Sequence, residues 1–209
     1  MKSVKLLFFF AFTLLLACNG GEPPLPYTYN ANPRYTWGYA EYFGKEYADF
    51  GIDNNIISLS LFSDSLSIDS TQSLVGIGQY LFLEDIFVSP TGKFLPDGTY
   101  TVDTTGLPFT VSPGRIDTVG TEMFPIGATI SYYEENTSKS KLLYVTSGNF
   151  VVATSILNDT TYYTINCDFR TNDKKALKGS FNGQLIHFDE SLTPRRDLIR
   201  KKQHKFIGF

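Results

Sequence analysis

Thr161-Tyr162-Tyr163-Thr164-Ile165-Asn166-Cys167-Asp168-Phe169-Arg170-Thr171 alternates without a break. Tyr163, Ile165, Cys167 and Phe169 point one way, and Thr164, Asn166, Asp168 and Arg170 the other. A period of two with one polar face is the mark of a strand in an antiparallel sheet packed on a core on one side. Leu157-Asn158-Asp159 upstream and Asn172-Asp173-Lys174-Lys175 downstream read as turns. They join this strand to Asn149–Ile156 before it and Ala176–Gln184 after it. Ser147-Gly148 interrupts an extended run, which suggests a bulge or a strand start.

The same signal recurs outward from there. The chain holds 13 Tyr and 18 Phe, and its Thr, Val and Ile runs are separated by Gly, Pro, Asn and Asp clusters. Strands are expected at Tyr35–Phe43, Ile56–Ser63, Tyr80–Val88, Thr99–Asp103 and Ile126–Tyr133. In the first of these, Tyr35, Trp37, Tyr39 and Phe43 are expected on one face. Helical periodicity is almost absent. About eight antiparallel strands with short connections imply an all-β domain, either an up-and-down barrel or a β-sandwich; closure would remove exposed edges, which favours the barrel.

The N-terminus has a different character. Lys2 and Lys5 precede an apolar run from Leu6 to Leu16, the layout of a secretory signal. The run is short of the ~20 apolar residues that cross ~30 Å of hydrocarbon. Leu15-Leu16-Ala17-Cys18 resembles the lipobox of bacterial lipoproteins. That resemblance implies cleavage before Cys18 and acylation there, which turns a soluble chain into an anchored one. More than one acyl chain is needed for stable anchoring. The expected organisation is a signal peptide over 1–17, a lipidated Cys18 with a Gly- and Pro-rich tether over 18–34, an all-β domain over 35–193 and a basic tail over 194–209.

Removing the leader leaves 16 Lys+Arg against 21 Asp+Glu, a net charge of −5. The tail holds six basic residues and one acid, so the rest of the mature chain stands near −10. An acidic body does not suit nucleic acid, whose binding is dominated by phosphate neutralisation.

Several segments together resemble a known group. Pro96-Asp97-Gly98-Thr99-Tyr100-Thr101, Val145 to Val152, Tyr162 to Phe169 and Lys178 to Leu185 follow a lipobox, a tether and an aromatic first strand. This arrangement is similar to β-rich lipoproteins of Bacteroides-type bacteria, a group with no established activity. The resemblance covers most of residues 35–185. It implies a calycin-like or related β fold at the cell envelope, with the outer membrane as the expected location. It supplies no catalytic residues, and the basic tail departs from it.

No catalytic set emerges from the residues. Nucleophilic catalysis needs a nucleophile, a base and an orienting group, yet the only histidines are His187, expected on a solvated face, and His204 in the tail. Cys167 falls on an apolar face, where a free cysteine acts as a small hydrophobe. Metal ligands at zinc spacing are missing. Asp49, Asp53, Asn54 and Asn55 read as turn chemistry rather than a calcium loop. Glu84-Asp85 and Glu134-Glu135 are adjacent pairs, whose members would face opposite sides of a strand. The expectation is therefore a non-enzymatic domain with no cofactor and no metal.

Two patterns remain. Trp37, Tyr39 and Tyr42 could stack on a glycan or a small apolar ligand; otherwise these rings fill the core or cover the sheet. Asp followed by Ser or Thr and a small or apolar residue occurs five times, at Ser65, Ser70, Thr104, Thr118 and Thr160. This resembles the O-glycan acceptor motif of exported Bacteroides-type proteins; strand-end turn chemistry produces the same pattern. The leading expectation is a lipid-anchored domain that binds a ligand or partner. The rivals are an assembly protein working by strand addition and a carboxylate-driven hydrolase.

Overall fold

The computed structural model describes residues 28–192, apart from 72, 120 and 135–140. The expected signal peptide, Cys18 and the start of the expected tether lie outside the described residues, as does the basic tail. In chain order the strands are β1 (Arg34–Gly44), β2 (Asn55–Ser63), β3 (Leu66–Ile68), β4 (Leu74–Val88), β5 (Gly98–Val102), β6 (Thr110–Val111) and β7 (Arg115–Val119). They continue with β8 (Glu122–Ile126), β9 (Thr129–Glu134), β10 (Lys141–Leu157), β11 (Thr160–Thr171), β12 (Ala176–Leu177), β13 (Ser180–Gly183) and β14 (Ile186–Asp189). A single 3₁₀ turn, Ala48–Phe50, is the only helical element among the described residues.

Twelve strands join one sheet, and β7 and β8 form a separate two-stranded sheet. Its pairings return to their start, from β1 through β2, β4, β9, β10, β11 and β13 back to β1. The all-β class holds, but the expected purely antiparallel order does not. β1 runs parallel to both β13 and β14, and β5 parallel to β6. A hairpin forces consecutive strands antiparallel. β1 meets β13 and β14 from the far end of the chain, so no such link acts. The count also exceeds the expected eight, because β3, β6, β12 and β14 are too short to show a period.

The deciding stretch forms β11 as expected. β10 and β11 pair from Val145↔Thr171 to Leu157↔Thr160. Asn158 and Asp159 both have positive φ (48° and 60°), the backbone of a tight primed hairpin turn. The Ser147-Gly148 interruption is a bulge: register slips between Val145 and Ser147, and Gly148 has φ 116°. Ala176–Gln184 is divided into β12 and β13 at Lys178-Gly179. Gly179 lies against the Tyr35 ring, where a Cβ would come within 2.7 Å of Cε2.

The alternating residues of β2, β4, β10 and β11 enclose one core. Tyr100, Phe150 and Phe169 are 0% exposed within it, with Tyr100 and Phe150 stacked at 4.6 Å. β1 does not keep a single face. A bulge between Tyr35 and Trp37 sends Tyr35 into this core and Trp37 to the opposite side. Trp37 and Tyr39 join a second cluster around Phe62, and Phe43 joins a third with Ile56 and Phe87.

Order begins upstream of Tyr35. The Tyr29 hydroxyl donates to the Ala176 carbonyl at 2.7 Å. Asn30 and the Gln79 side chain exchange two hydrogen bonds of 3.1 Å.

Candidate functional site

β14 places the site. Its parallel pairing sets His187 beside Ala40 of β1 and Asp189 beside Tyr42. Across from it, residues 89–97 leave β4 and carry Lys93 and Phe94 over the strand ends. Leu95 of this loop is buried, while Phe94 remains 59% exposed. The Phe94 ring meets His187 edge to face at 4.9 Å and 89°.

Phe94 and His187 form a wall shared by two cavities. The smaller, about 220 Å³, is lined by Ala40, Tyr42, Ile57, Lys93, Phe188 and Asp189 together with that wall. The larger, about 450 Å³, adds Leu95, Thr154, Thr160, Tyr163, Gln184 and Leu185. Its size falls within the ordinary range of small-molecule sites, about 300–1,000 Å³.

Fixed polar groups surround these spaces. The Tyr163 hydroxyl and His187 Nε2 lie 3.2 Å apart. Burial lowers the His187 pKa from its usual 6.5, which favours the neutral ring. Burial also raises the Tyr163 hydroxyl, and Asp97 raises it further. Thr154 Oγ1 donates to Asp97 Oδ1 at 2.8 Å, and Gln184 Nε2 to the Tyr162 hydroxyl at 3.0 Å. At the smaller cavity, Lys93 Nζ sits 5.4 Å from the Tyr42 ring centre and 3.5 Å from Asp189. Both charges are more than half exposed, so this pair steers more than it stabilises. Hydrogen bonds from Ser191, then the charge of Lys93, hold the Asp189 carboxyl below its usual range.

No family model, curated protein or solved structure matches this chain. The chemistry of the site therefore stands on its own residues.

The three aromatic candidates divide. Trp37 stacks on Phe62 at 4.0 Å and 8°, and its Nε1–H donates to the Leu66 carbonyl at 2.7 Å. Tyr39 packs 5.9 Å from the same ring. Both are committed to the second cluster, whereas Tyr42 lines the smaller cavity. Phe94, Tyr163 and Gln184 were not legible as site residues. Only the fold-back of residues 89–97 brings Phe94 there.

Ser65, Ser70, Thr104 and Thr118 are exposed, and Thr160 is half-buried. Turn chemistry is visible at several of these sites. Asp69 Oδ1 accepts from the Thr71 and Ser73 amides, Asp103 from the Thr105 amide and Asp117 from the Thr118 amide. A glycan on Thr160 would fill the larger cavity, so acceptor and binding roles exclude each other there. Cys167 is buried with its thiol pushed up to about 12 by desolvation, a packing residue rather than a nucleophile. Asn54 and Asn55 tie loops together, Asn55 through the Pro90 and Gly92 carbonyls. Among the described residues, no group of three or more acidic, His or Cys side chains could hold a metal ion.

The Glu84-Asp85 pair does not split across the sheet. A bulge between Ile57↔Ile86 and Leu59↔Leu83 gives β4 an extra residue. Leu83 and Ile86 both face the core, so the two acids share the opposite side.

Proposed function

We propose that this protein is a non-enzymatic, lipid-anchored component of the cell envelope that binds a glycan in the groove beside Phe94. The observation that carries the reading is the lining of the larger cavity. It sets the exposed Phe94 ring among threonine hydroxyls, the Gln184 amide and His187, over a floor that includes the buried Tyr163. Sugars have apolar faces and a rim of hydroxyls, so they suit aromatic platforms ringed by hydrogen-bonding groups. A small apolar ligand fits less well, because the enclosed core is filled by Tyr100, Phe150, Phe169 and Phe181.

The returning strand pairings support a barrel over a sandwich, with the groove at one rim. The Lys-flanked apolar leader and Leu-Leu-Ala-Cys support export and acylation at Cys18. Each of the two cavities carries a single carboxylate, Asp189 or Asp159, which does not favour a two-carboxylate hydrolase. Assembly by strand addition has one supporting feature: Ile156 and Leu157 at the β10–β11 tip are 76% and 60% exposed.

Two measurements test the reading. Intact mass of protein extracted from membranes should show acyl chains on Cys18; an unmodified cysteine removes the address. Saturation-transfer NMR against a panel of envelope oligosaccharides should give binding that Phe94→Ala and Gln184→Ala weaken. Binding unchanged in both variants, or no binding across the panel, removes the groove as a glycan site.

A further inference from the structure

At about 220 Å³ the smaller cavity falls below the usual range of small-molecule sites, about 300–1,000 Å³. It shares the Phe94–His187 wall with the larger cavity, so it suits one substituent of a ligand held there. Its lining has two chemistries. Ala40 and Ile57 supply a floor of buried apolar side chains, and the exposed rings of Phe94 and Phe188 extend that apolar surface outward. The other part of the lining carries one cation and one anion, Lys93 and Asp189, each more than half exposed and within reach of a ligand.

Both charges are held in place. Asp189 Oδ1 accepts from the Ser191 amide at 3.1 Å and from the Ser191 hydroxyl at 2.6 Å. Oδ2 faces Lys93 Nζ at 3.5 Å. Lys93 Nζ also stands 5.4 Å from the Tyr42 ring centre, within cation–π reach. The Lys93–Asp189 separation is longer than the ~2.7–2.9 Å of a tight charge-assisted hydrogen bond. An ammonium has three donors and a carboxylate two acceptor oxygens, so both groups keep capacity for a ligand.

We propose that this pocket takes the N-acetyl group of an amino sugar, an assignment that rests on the glycan reading of the adjoining groove. A secondary amide carries one donor and one acceptor. Its N–H suits the ionised Asp189 carboxylate, which only accepts, and its C=O suits the Lys93 ammonium, which only donates. The acetyl methyl suits the apolar floor of Ala40 and Ile57. Competing substituents fit less well. A hydroxyl is too short to cover the floor. A free amine is repelled by Lys93, and a carboxylate by Asp189. A neutral amide dipole answers both charges at once. The sugar ring is then left to the exposed Phe94 ring, and the next sugar of the glycan to the larger cavity.

Calorimetric titration of the full mature chain with matched trisaccharides tests the proposal. The probes are the N-acetylglucosamine trimer, the glucose trimer of the same linkage and the glucosamine trimer with free amines, together with the same three in galacto configuration. An acetylated trimer should bind at least about tenfold tighter than its hydroxyl and amine counterparts. Saturation transfer should be strongest at its acetyl methyl protons. Lys93→Met keeps the apolar stem and removes the donor, and should narrow the acetyl-to-hydroxyl ratio by about fivefold, the loss of one net hydrogen bond. That ratio does not depend on the fraction of protein that is folded. Equal binding of acetylated and hydroxyl trimers overturns the proposal and leaves the glycan reading standing. So does tighter binding of the amine trimers, or an acetyl-to-hydroxyl ratio unchanged in Lys93→Met. Binding of other envelope oligosaccharides but of none of these trimers also overturns the proposal alone. Binding of no oligosaccharide at all removes the glycan reading as well.

Discussion

Trp37 offers the sharpest separation of packing from ligand binding, because its ring both stacks and donates a hydrogen bond within the second cluster. Its Nε1–H reaches the Leu66 carbonyl at 2.7 Å, and its ring stacks on Phe62 at 4.0 Å. Trp37→Phe removes the hydrogen bond, worth about 1 kcal/mol net, and trims the stack by roughly 0.5 kcal/mol more. Trp37→Ala removes the ring. Full burial would make that cost about 3–5 kcal/mol, and the partial exposure of this ring brings it to roughly 2–3 kcal/mol. Urea unfolding followed by far-UV circular dichroism is the assay, since the variants lose the chain's one tryptophan as a fluorescence probe. A double-mutant cycle with Phe62→Leu should return a coupling of about 0.5–1.5 kcal/mol. The reasoning is refuted if Trp37→Ala unfolds within about 0.5 kcal/mol of wild type, or if the coupling is nil. Loss of glycan binding without loss of stability would instead make this ring a ligand platform.

Three further outcomes are expected. Gly148→Ala forces a side chain into φ 116° with its Cβ 2.1 Å from the Asp168 carbonyl oxygen, so it should cost more than about 1 kcal/mol; equal urea midpoints would contradict the bulge geometry. Because burial lowers the His187 pKa below the unfolded value, His187 contributes stability that is complete above pH ~6.5 and declines as pH falls through the folded pKa. Wild type should therefore lose more stability than His187→Gln between pH 8 and pH 5, and the reverse order would show the charged ring to be favoured. Cys167 should stay unreactive toward a disulfide reagent at pH 8 until the protein unfolds, given a thiol pushed up to about 12; rapid modification of the native state would place it at the surface.

The β10–β11 hairpin was legible because each of its signals is local. The alternation of Tyr163 to Arg170 reports one buried face, the Asn158-Asp159 turn needs positive φ, and Gly148 marks the bulge. Tyr35, Trp37 and Tyr39 show where local reading stops. They alternate perfectly, yet the bulge near Thr36 sends Tyr35 inward and the other two outward, a consequence of how β1 pairs with β2. Glu84 and Asp85 follow the same logic, since only the slip against Ser58 turns both to one side. Phe94 gave no signal at all. Its loop looks like any Pro- and Gly-punctuated connection, and its role depends on a contact with His187, 93 positions later.

The amino-acid order by itself determined the all-β class, the principal hairpin and the burial of Cys167. These follow from side-chain period and turn chemistry within about ten residues. The tertiary structure decided strand direction, the division of β1 between two clusters and the groove beside Phe94. Each of those arises where segments distant in sequence meet. There the geometry is set by which strand edges and side-chain volumes fit together, information that no local window contains.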